Sequence, residues 1–131
     1  MTLFVAIAAM GLLVLVGLVV DGGAKVRAVQ RADRLAAEAA RAAGQAIDLT
    51  AVMSGREVRV EPREALGAAR AYLAAAGNGG TAQLDAEHRS IQVTTTASSG
   101  TVFLGLIGIS EFTVHGSATV SLIRPGRDTP P

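Results

Sequence analysis

Histidine and glutamate side chains are the first groups in this chain to consider for catalysis or metal binding. His88 and His115 are the two histidines, and they fall on different predicted strands without a metal-ligand spacing such as H-E-x-x-H. Glu57, Glu61 and Glu64 flank a predicted turn, where solvent and the dipole of the following helix account for their charge. Cysteine is absent, which excludes thiolate nucleophiles and disulfides. We therefore predict no catalytic, cofactor-binding or metal-binding residues, and a protein that is not an enzyme.

A glycine-rich segment at residues 77–80 is the other candidate for chemistry, because glycine loops can cradle phosphate. Such loops open a helix, whereas this segment follows a predicted one, so it is typical of a helix C-cap and turn. The formal net charge is +1, from 12 basic and 11 acidic residues. A charge so close to zero provides no long-range field toward nucleic acid, and no nucleic-acid partner is expected.

The N-terminal segment is apolar without interruption. Residues 3–20 are all apolar or glycine, and every charged side chain lies at or after Asp21. As a helix, this run is roughly 27 Å long at about 1.5 Å per residue, close to the hydrocarbon thickness of a bilayer. We predict a membrane anchor over residues 1–21, with membrane lipid around Leu3, Phe4, Leu13, Val14 and Val20. A buried core helix and a cleaved signal peptide are the alternatives; the length of the run and the lack of a preceding basic residue disfavour cleavage.

Basic residues follow this anchor directly. Lys25, Arg27, Arg31 and Arg34 would place the C-terminal side in the cytoplasm by the positive-inside rule. A start codon further upstream or a dedicated secretion machinery would allow the opposite orientation. Both topologies remain open from these residues alone.

A continuing amphipathic helix is predicted over residues 22–48. Small apolar residues recur along it at three- and four-residue steps, and the charged residues lie largely off that face. We call this the alanine stripe: Val29, Ala32, Ala36, Ala40 and Ala43. The stripe either covers the chain's own domain or lets neighbouring subunits approach closely, which would give a homo-oligomer through the N-terminal helix.

The sequence patterns after this helix predict a small α+β domain over residues 49–124. A break at residues 48–55 and a short strand at 57–60 precede a second, short helix that begins at Pro62. Its predicted buried face is Leu66, Ala69, Leu73 and Ala76. Alternating apolar and polar residues at 82–87, 91–97 and 112–122 predict half-buried strands of an antiparallel sheet, with turns at 88–90 and 98–100.

Two further segments complete this domain. Residues 102–109 are nearly all apolar but too short to cross a bilayer. They fit a short helix closing the core, a membrane-surface contact or a subunit contact, and core packing is the preferred interpretation. Residues 125–131 are predicted to be a disordered tail.

The N-terminal residues also resemble a known family. The anchor closed by Asp21-Gly22-Gly23, followed by Gln30-Arg31-Ala32-Asp33 and an alanine-rich helix, is similar to the start of the TadE/TadG-like proteins of tight-adherence (Flp-type) pilus systems. The resemblance covers about the first 45 residues, and Asp21, Gln30 and Asp33 match its pattern. It implies a pilin-like fold whose sheet domain lies outside the cytoplasmic membrane. The basic leader and the prepilin peptidase site of some members are not seen in this sequence.

Two functions follow from these patterns. The first is a non-enzymatic, single-pass, pilin-like protein at the cell surface, acting with other pilus or secretion-system subunits as a minor subunit or assembly factor, in the membrane or in an extracellular pilus. The second is a membrane-tethered module whose sheet domain binds an extracytoplasmic partner.

The anchor prediction can be tested with one charge. We expect Val14→Arg, near the centre of the span, to cost about 2.5 to 3.5 kcal/mol of insertion, because an arginine there must leave water. Membrane fractionation should show less protein in the membrane than for the parent chain, whereas Val14→Leu should behave like the parent. Distribution of the variant and the parent alike into the soluble fraction would contradict the anchor.

Overall fold

The computed structural model describes the backbone of residues 1–54, 61–77 and 79–122, and the side chains of these residues except 47–52 and 54. The elements are α1 (Thr2–Ser54), α2 (Pro62–Ala75), β1 (Gly80–Leu84), β2 (Ser90–Gly100), a 3-10 helix (Leu104–Ile107) and β3 (Glu111–Ser121). This confirms the α+β class with a long N-terminal helix, a short second helix and a small antiparallel sheet. The predicted strand at 57–60 and the tail at 125–131 lie outside the described residues.

Helix α1 is a single helix of 53 residues, about 80 Å long at 1.5 Å per residue. It continues to Ser54, so the predicted break at residues 48–54 is wrong. The physical reason is that neither glycine nor proline occurs between Gly44 and Gly55, so nothing in the intervening sequence stops a helix. The same element therefore contains the apolar segment and the alanine stripe.

Helix α2 begins as predicted, with Pro62 in its first turn together with Glu64. Proline suits this position because it has no backbone N–H, and an N–H in the first turn of a helix has no acceptor within that helix. The helix buries Ala65, Ala69 and Leu73. Two of these were predicted, and Ala65 was missed.

The end of α2 explains the remaining differences on its buried face. The helix ends at Ala75, and Gly77 has a left-handed φ of 69°, as expected of a C-terminal glycine. Ala76 is consequently exposed rather than buried, and Leu66 is half-buried. The predicted C-cap at the glycine-rich segment is confirmed for Gly77, while Gly80 already belongs to β1.

The sheet has the order β1-β2-β3, and both strand pairs are antiparallel. Its register places Ala82 opposite Val93 and Thr95 opposite Gly116. The predicted turn at 98–100 is wrong, because these residues extend β2 and pair with residues 111–113. Three serine and glycine residues in sequence favour a turn locally, but here the cross-strand hydrogen bonds with β3 satisfy their backbone.

One face of the sheet packs against both helices. The core contains few large side chains; most of its members are alanine, in the set Ala36, Ala39, Ala40, Ala43, Ala65, Ala69, Leu73, Ala82, Ile91 and Val93. With side chains this small, contact requires that the backbones of the helices and the sheet approach each other closely. The packing of the core therefore depends on how closely the backbones of the helices and the sheet approach each other.

The closest approach lies between α1 and β3 at Gly116. A Cβ atom at this position would overlap the backbone of Ala32 and Asp33, in contact with the Ala32 carbonyl oxygen at 2.5 Å. Opposite Gly116 in the sheet, the buried Thr95 hydroxyl donates a hydrogen bond to the same carbonyl oxygen over 2.6 Å. Glycine is therefore required at residue 116 by space, not by backbone conformation.

This contact predicts an asymmetric response to alanine at two strand glycines. We expect Gly116→Ala to lower the free energy of unfolding by about 1 to 3 kcal/mol or more, because α1 must move away from the sheet. Gly100→Ala is the matched control, since an added Cβ there meets nothing within 4 Å. Thermal unfolding of the full chain in detergent should show a lower Tm for the first variant alone; equal Tm values would contradict the contact.

Candidate functional site: the exit of α1 from its apolar segment

The apolar segment of α1 presents its large side chains outward. Leu3, Phe4, Leu13 and Val14 are between 64% and 75% exposed, and Val20 is 41% exposed. Among residues 1–20, all of which the structure describes, Gly17 alone is buried. The helix is long and apolar enough to cross a membrane, with a mean hydropathy of 3.0 in its most apolar stretch. A surface this apolar suits lipid or other apolar helices rather than water.

Asp21 stands at the end of this segment and is 2% exposed. Its carboxylate accepts backbone hydrogen bonds from Val102 at 2.9 Å, from Phe103 at 3.2 Å and from Leu104 at 2.8 Å. A buried carboxylate needs such donors, because an unpaired charge away from water is strongly unfavourable. Asp21 therefore ties α1 to a segment more than eighty residues later in the chain.

The segment that Asp21 holds is the apolar loop, residues 102–109. Its 3-10 helix has no buried residue, and Leu106 and Ile107 are 83% and 73% exposed. The preferred interpretation that this segment closes the core is therefore wrong. The reason is that α1 and α2 already cover the inner face of the sheet, while the loop leaves the sheet at its end beside Gly17 and Asp21.

The other two residues of the family pattern behave differently from each other. Asp33 accepts a hydrogen bond from the backbone N–H of Ser117 in β3, at 3.4 Å. Gln30 is exposed and lies beside Arg27, Arg31 and Arg34 on the outer face of α1. The two aspartates thus both contact backbone amides of the domain, and the glutamine does not share this arrangement.

The alanine stripe packs within this chain. Ala32, Ala36, Ala40 and Ala43 are buried by the chain's own elements, and Val29 is half-buried. Ala28 and Ala39 are also buried but were not predicted. Ala28, together with Gly17 and Asp21, continues the same helical face toward the apolar segment, and Ala39 widens the face between Ala36 and Ala40. The spacing of three, four and seven residues contains this signal.

The histidines lie apart from this site. His88 was predicted on a strand but lies in the turn between β1 and β2, where it has a left-handed φ of 56°. In the same turn the Asp85 carboxylate accepts the Arg89 amide at 2.8 Å, which lowers the pKa of Asp85 from its ordinary value. His115 is exposed on β3. Within the described part of the chain, no three His, Asp or Glu side chains form a group that could hold a metal ion.

A comparison with known protein families gives a match to the first part of α1. Residues 1–46 match the Tad family model, described as "Putative Flp pilus-assembly TadE/G-like". The resemblance of this segment to the TadE/TadG-like family is thereby confirmed, while the pattern at Asp21, Gln30 and Asp33 stays a prediction. No curated protein and no solved structure gives a significant match.

The Tad match includes the whole apolar segment and the whole alanine stripe. It therefore covers the exposed apolar part of α1 and the part that packs on the sheet. Together with the exposed apolar helix, the match indicates a membrane-anchored protein associated with Flp/Tad pili. Strands β1 to β3 and helix α2 lie outside the matched residues.

Proposed function

We propose that this chain is a non-enzymatic, single-pass protein of the cytoplasmic membrane whose sheet domain lies on the extracytoplasmic side. There it acts as a minor subunit or an assembly factor of a Flp/Tad-type pilus. The observation that carries the proposal is the Tad match over residues 1–46, the segment that contains both the apolar helix and its two domain-binding aspartates. The description of that family is one of assembly.

The packing of α1 supports a role in assembly. The same helix supplies the apolar segment and the largest share of the small-residue core, so the domain is fixed to the anchor without a linker. A subunit built in this way transmits the position of its membrane helix directly to its domain. Such coupling suits a protein that is packed or aligned through its N-terminal helix.

The outer face of α1 is the best candidate for contacts with other subunits. Arg27, Arg31 and Arg34 are exposed there at helical spacing, opposite the buried alanines. Arg41 is also exposed but pairs with Glu38 at 3.9 Å. Arg31 and Arg34 lie about 15 and 20 Å beyond Asp21 along the helix, farther than a lipid headgroup layer extends. Acidic surfaces of neighbouring subunits are therefore the partners that this basic face fits.

Sidedness can be tested because the chain lacks cysteine. We expect Ala86→Cys, at the exposed turn between β1 and β2, to react with an impermeant maleimide in intact cells. Thr2→Cys, at the opposite end of the span, is the control and should react only after lysis. The reverse pattern would agree with the basic residues after the anchor and would contradict the extracytoplasmic domain.

The role in the pilus can be tested with sheared, purified filaments. A minor subunit should copurify with the filaments, whereas an assembly factor should stay in the membrane while its deletion abolishes filaments. We expect Arg34→Glu to reduce filament yield or incorporation by about tenfold, since a lost interfacial ion contact of about 1.4 kcal/mol has that effect.

Arg63→Glu is the matched control, because it makes the same charge change at an exposed residue of α2. Both variants should keep the parental Tm and membrane fraction. Parental filament yield from a strain lacking the protein, together with absence of the protein from purified parental filaments, would contradict both pilus roles and would favour the membrane-tethered binding module.

A further inference from the structure

The apolar loop has a composition that water does not favour. Residues 101–110 contain no charged side chain, and Val102, Leu106 and Ile107 are each at least 66% exposed. These side chains form one patch, because the loop closes on itself: the Ile109 amide donates to the Leu104 carbonyl at 3.0 Å, and the Thr101 amide to that of Ser110 at 3.0 Å. An apolar patch on an ordered loop is typical of a contact surface.

The position of the loop along α1 identifies what covers it. Phe103 packs directly on Gly17, where an added Cβ would come within 2.7 Å of the ring. Gly17 is one helical turn, about 6 Å, inside the apolar segment as measured from Asp21. The exposed patch of the loop is thus continuous with the exposed apolar surface of the membrane helix.

Many backbone amides of the loop have hydrogen-bond partners within the protein, as a poorly hydrated environment requires. The amides of Val102, Phe103 and Leu104 donate to the Asp21 carboxylate, and those of Leu106, Gly108 and Ile109 donate to carbonyls within the loop. Irregular backbone near lipid requires such internal partners, because water is scarce there. Asp21 therefore supplies the hydrogen bonds that a helix or sheet would otherwise provide.

Charged groups beyond the loop mark the boundary with water. Lys25 lies one turn after Asp21, and its Nζ is 5.1 Å from the centre of the Phe112 ring at the start of β3. A lysine at this level matches the headgroup region of a bilayer, because its apolar stem can lie along the helix while its ammonium group stays in water. The apolar loop lies on the membrane side of this pair and the rest of the sheet on the other.

We propose that the apolar loop is a second membrane contact, which inserts into the lipid interface beside α1 and is held at that depth by the Asp21 carboxylate. The domain then touches the membrane at two points, the helix and the loop, so its tilt relative to the bilayer is fixed. This inference rests on the proposed membrane anchoring. The occupant of the patch is bilayer lipid, and a second copy of the chain is the competing occupant.

The chain contains no tryptophan, so a single introduced indole reports on the loop. The full chain with Leu106→Trp is reconstituted into phosphatidylcholine vesicles that contain lipids brominated near the headgroup end of the acyl chain. We expect blue-shifted emission, quenching by the brominated lipid and protection from aqueous iodide. Ala86→Trp, at the distal turn, is the control and should show quenching by iodide alone.

Three outcomes would overturn the inference. Iodide quenching of Leu106→Trp equal to that of Ala86→Trp would show that the loop is in water. Protection from iodide that disappears as the protein is diluted with lipid would assign the patch to a second copy. Bromine quenching that is unchanged when Asp21→Ala is added would show that the carboxylate does not set the depth, whereas we expect that substitution to reduce the quenching at least twofold.

Vesicle flotation of each variant separates this inference from the proposed function. A chain that floats with the vesicles yet leaves the indole exposed to iodide contradicts the loop contact alone. A chain that does not float contradicts the membrane anchor itself. Asp33→Ala serves as a further control, because it removes a carboxylate that contacts Ser117, far from the loop.

Discussion

The close approach of two backbones, α1 at Ala32 and β3 at Gly116, is the constraint on which the rest of this structure depends. The core is built mainly from alanine, so it gains little burial per side chain and must gain packing through short backbone separations. Gly116 permits that separation, and the Thr95 hydroxyl joins the sheet to the helix at the same carbonyl. The neighbouring contacts between α1 and the sheet need a similarly close approach, because the side chains of α1 in the core are alanine.

The same constraint ties the domain to the membrane segment. Because α1 is continuous from Thr2 to Ser54, the face that packs on the sheet continues toward Asp21 and Gly17. The sheet therefore cannot be placed without also placing the loop that follows β2 beside the end of the apolar segment. Anchor and domain act as one unit, which distinguishes this arrangement from a domain on a flexible tether.

Asp21 has a role in this unit that its charge alone does not suggest. An aspartate at the end of an apolar helix would ordinarily mark the start of the aqueous region. Here the carboxylate is withdrawn from water and accepts three backbone amides of the apolar loop. Asp33 repeats the arrangement more weakly at Ser117, so both aspartates of the family pattern join α1 to the domain.

Much of the fold could be predicted from local patterns. The membrane-length segment, the start of α2 at Pro62 and the alternation at residues 91–97, which buries Ile91, Val93 and Thr95, are properties of hydrophobic period and helix chemistry. Neighbouring residues determine these properties. The resemblance at Asp21, Gln30 and Asp33 was also local. A prediction from local patterns was wrong where the local signal was weak. At the end of α1 a break was predicted, but the helix continues to Ser54.

The tertiary structure decided what contacts between distant residues determine. Whether the alanine stripe faced its own domain, whether residues 98–100 turned or paired, and where the apolar loop lay all depended on partners far away in sequence. The spacing of apolar residues along a helix or strand shows which of its faces is apolar. It does not show which other part of the protein, subunit or membrane covers that face. The sequence by itself determined that this protein has an anchor, a helix and a sheet. Only the packing at Ala32 and Gly116 and the hydrogen bonds of Asp21 decided how these parts fit together, because those interactions join residues more than eighty positions apart.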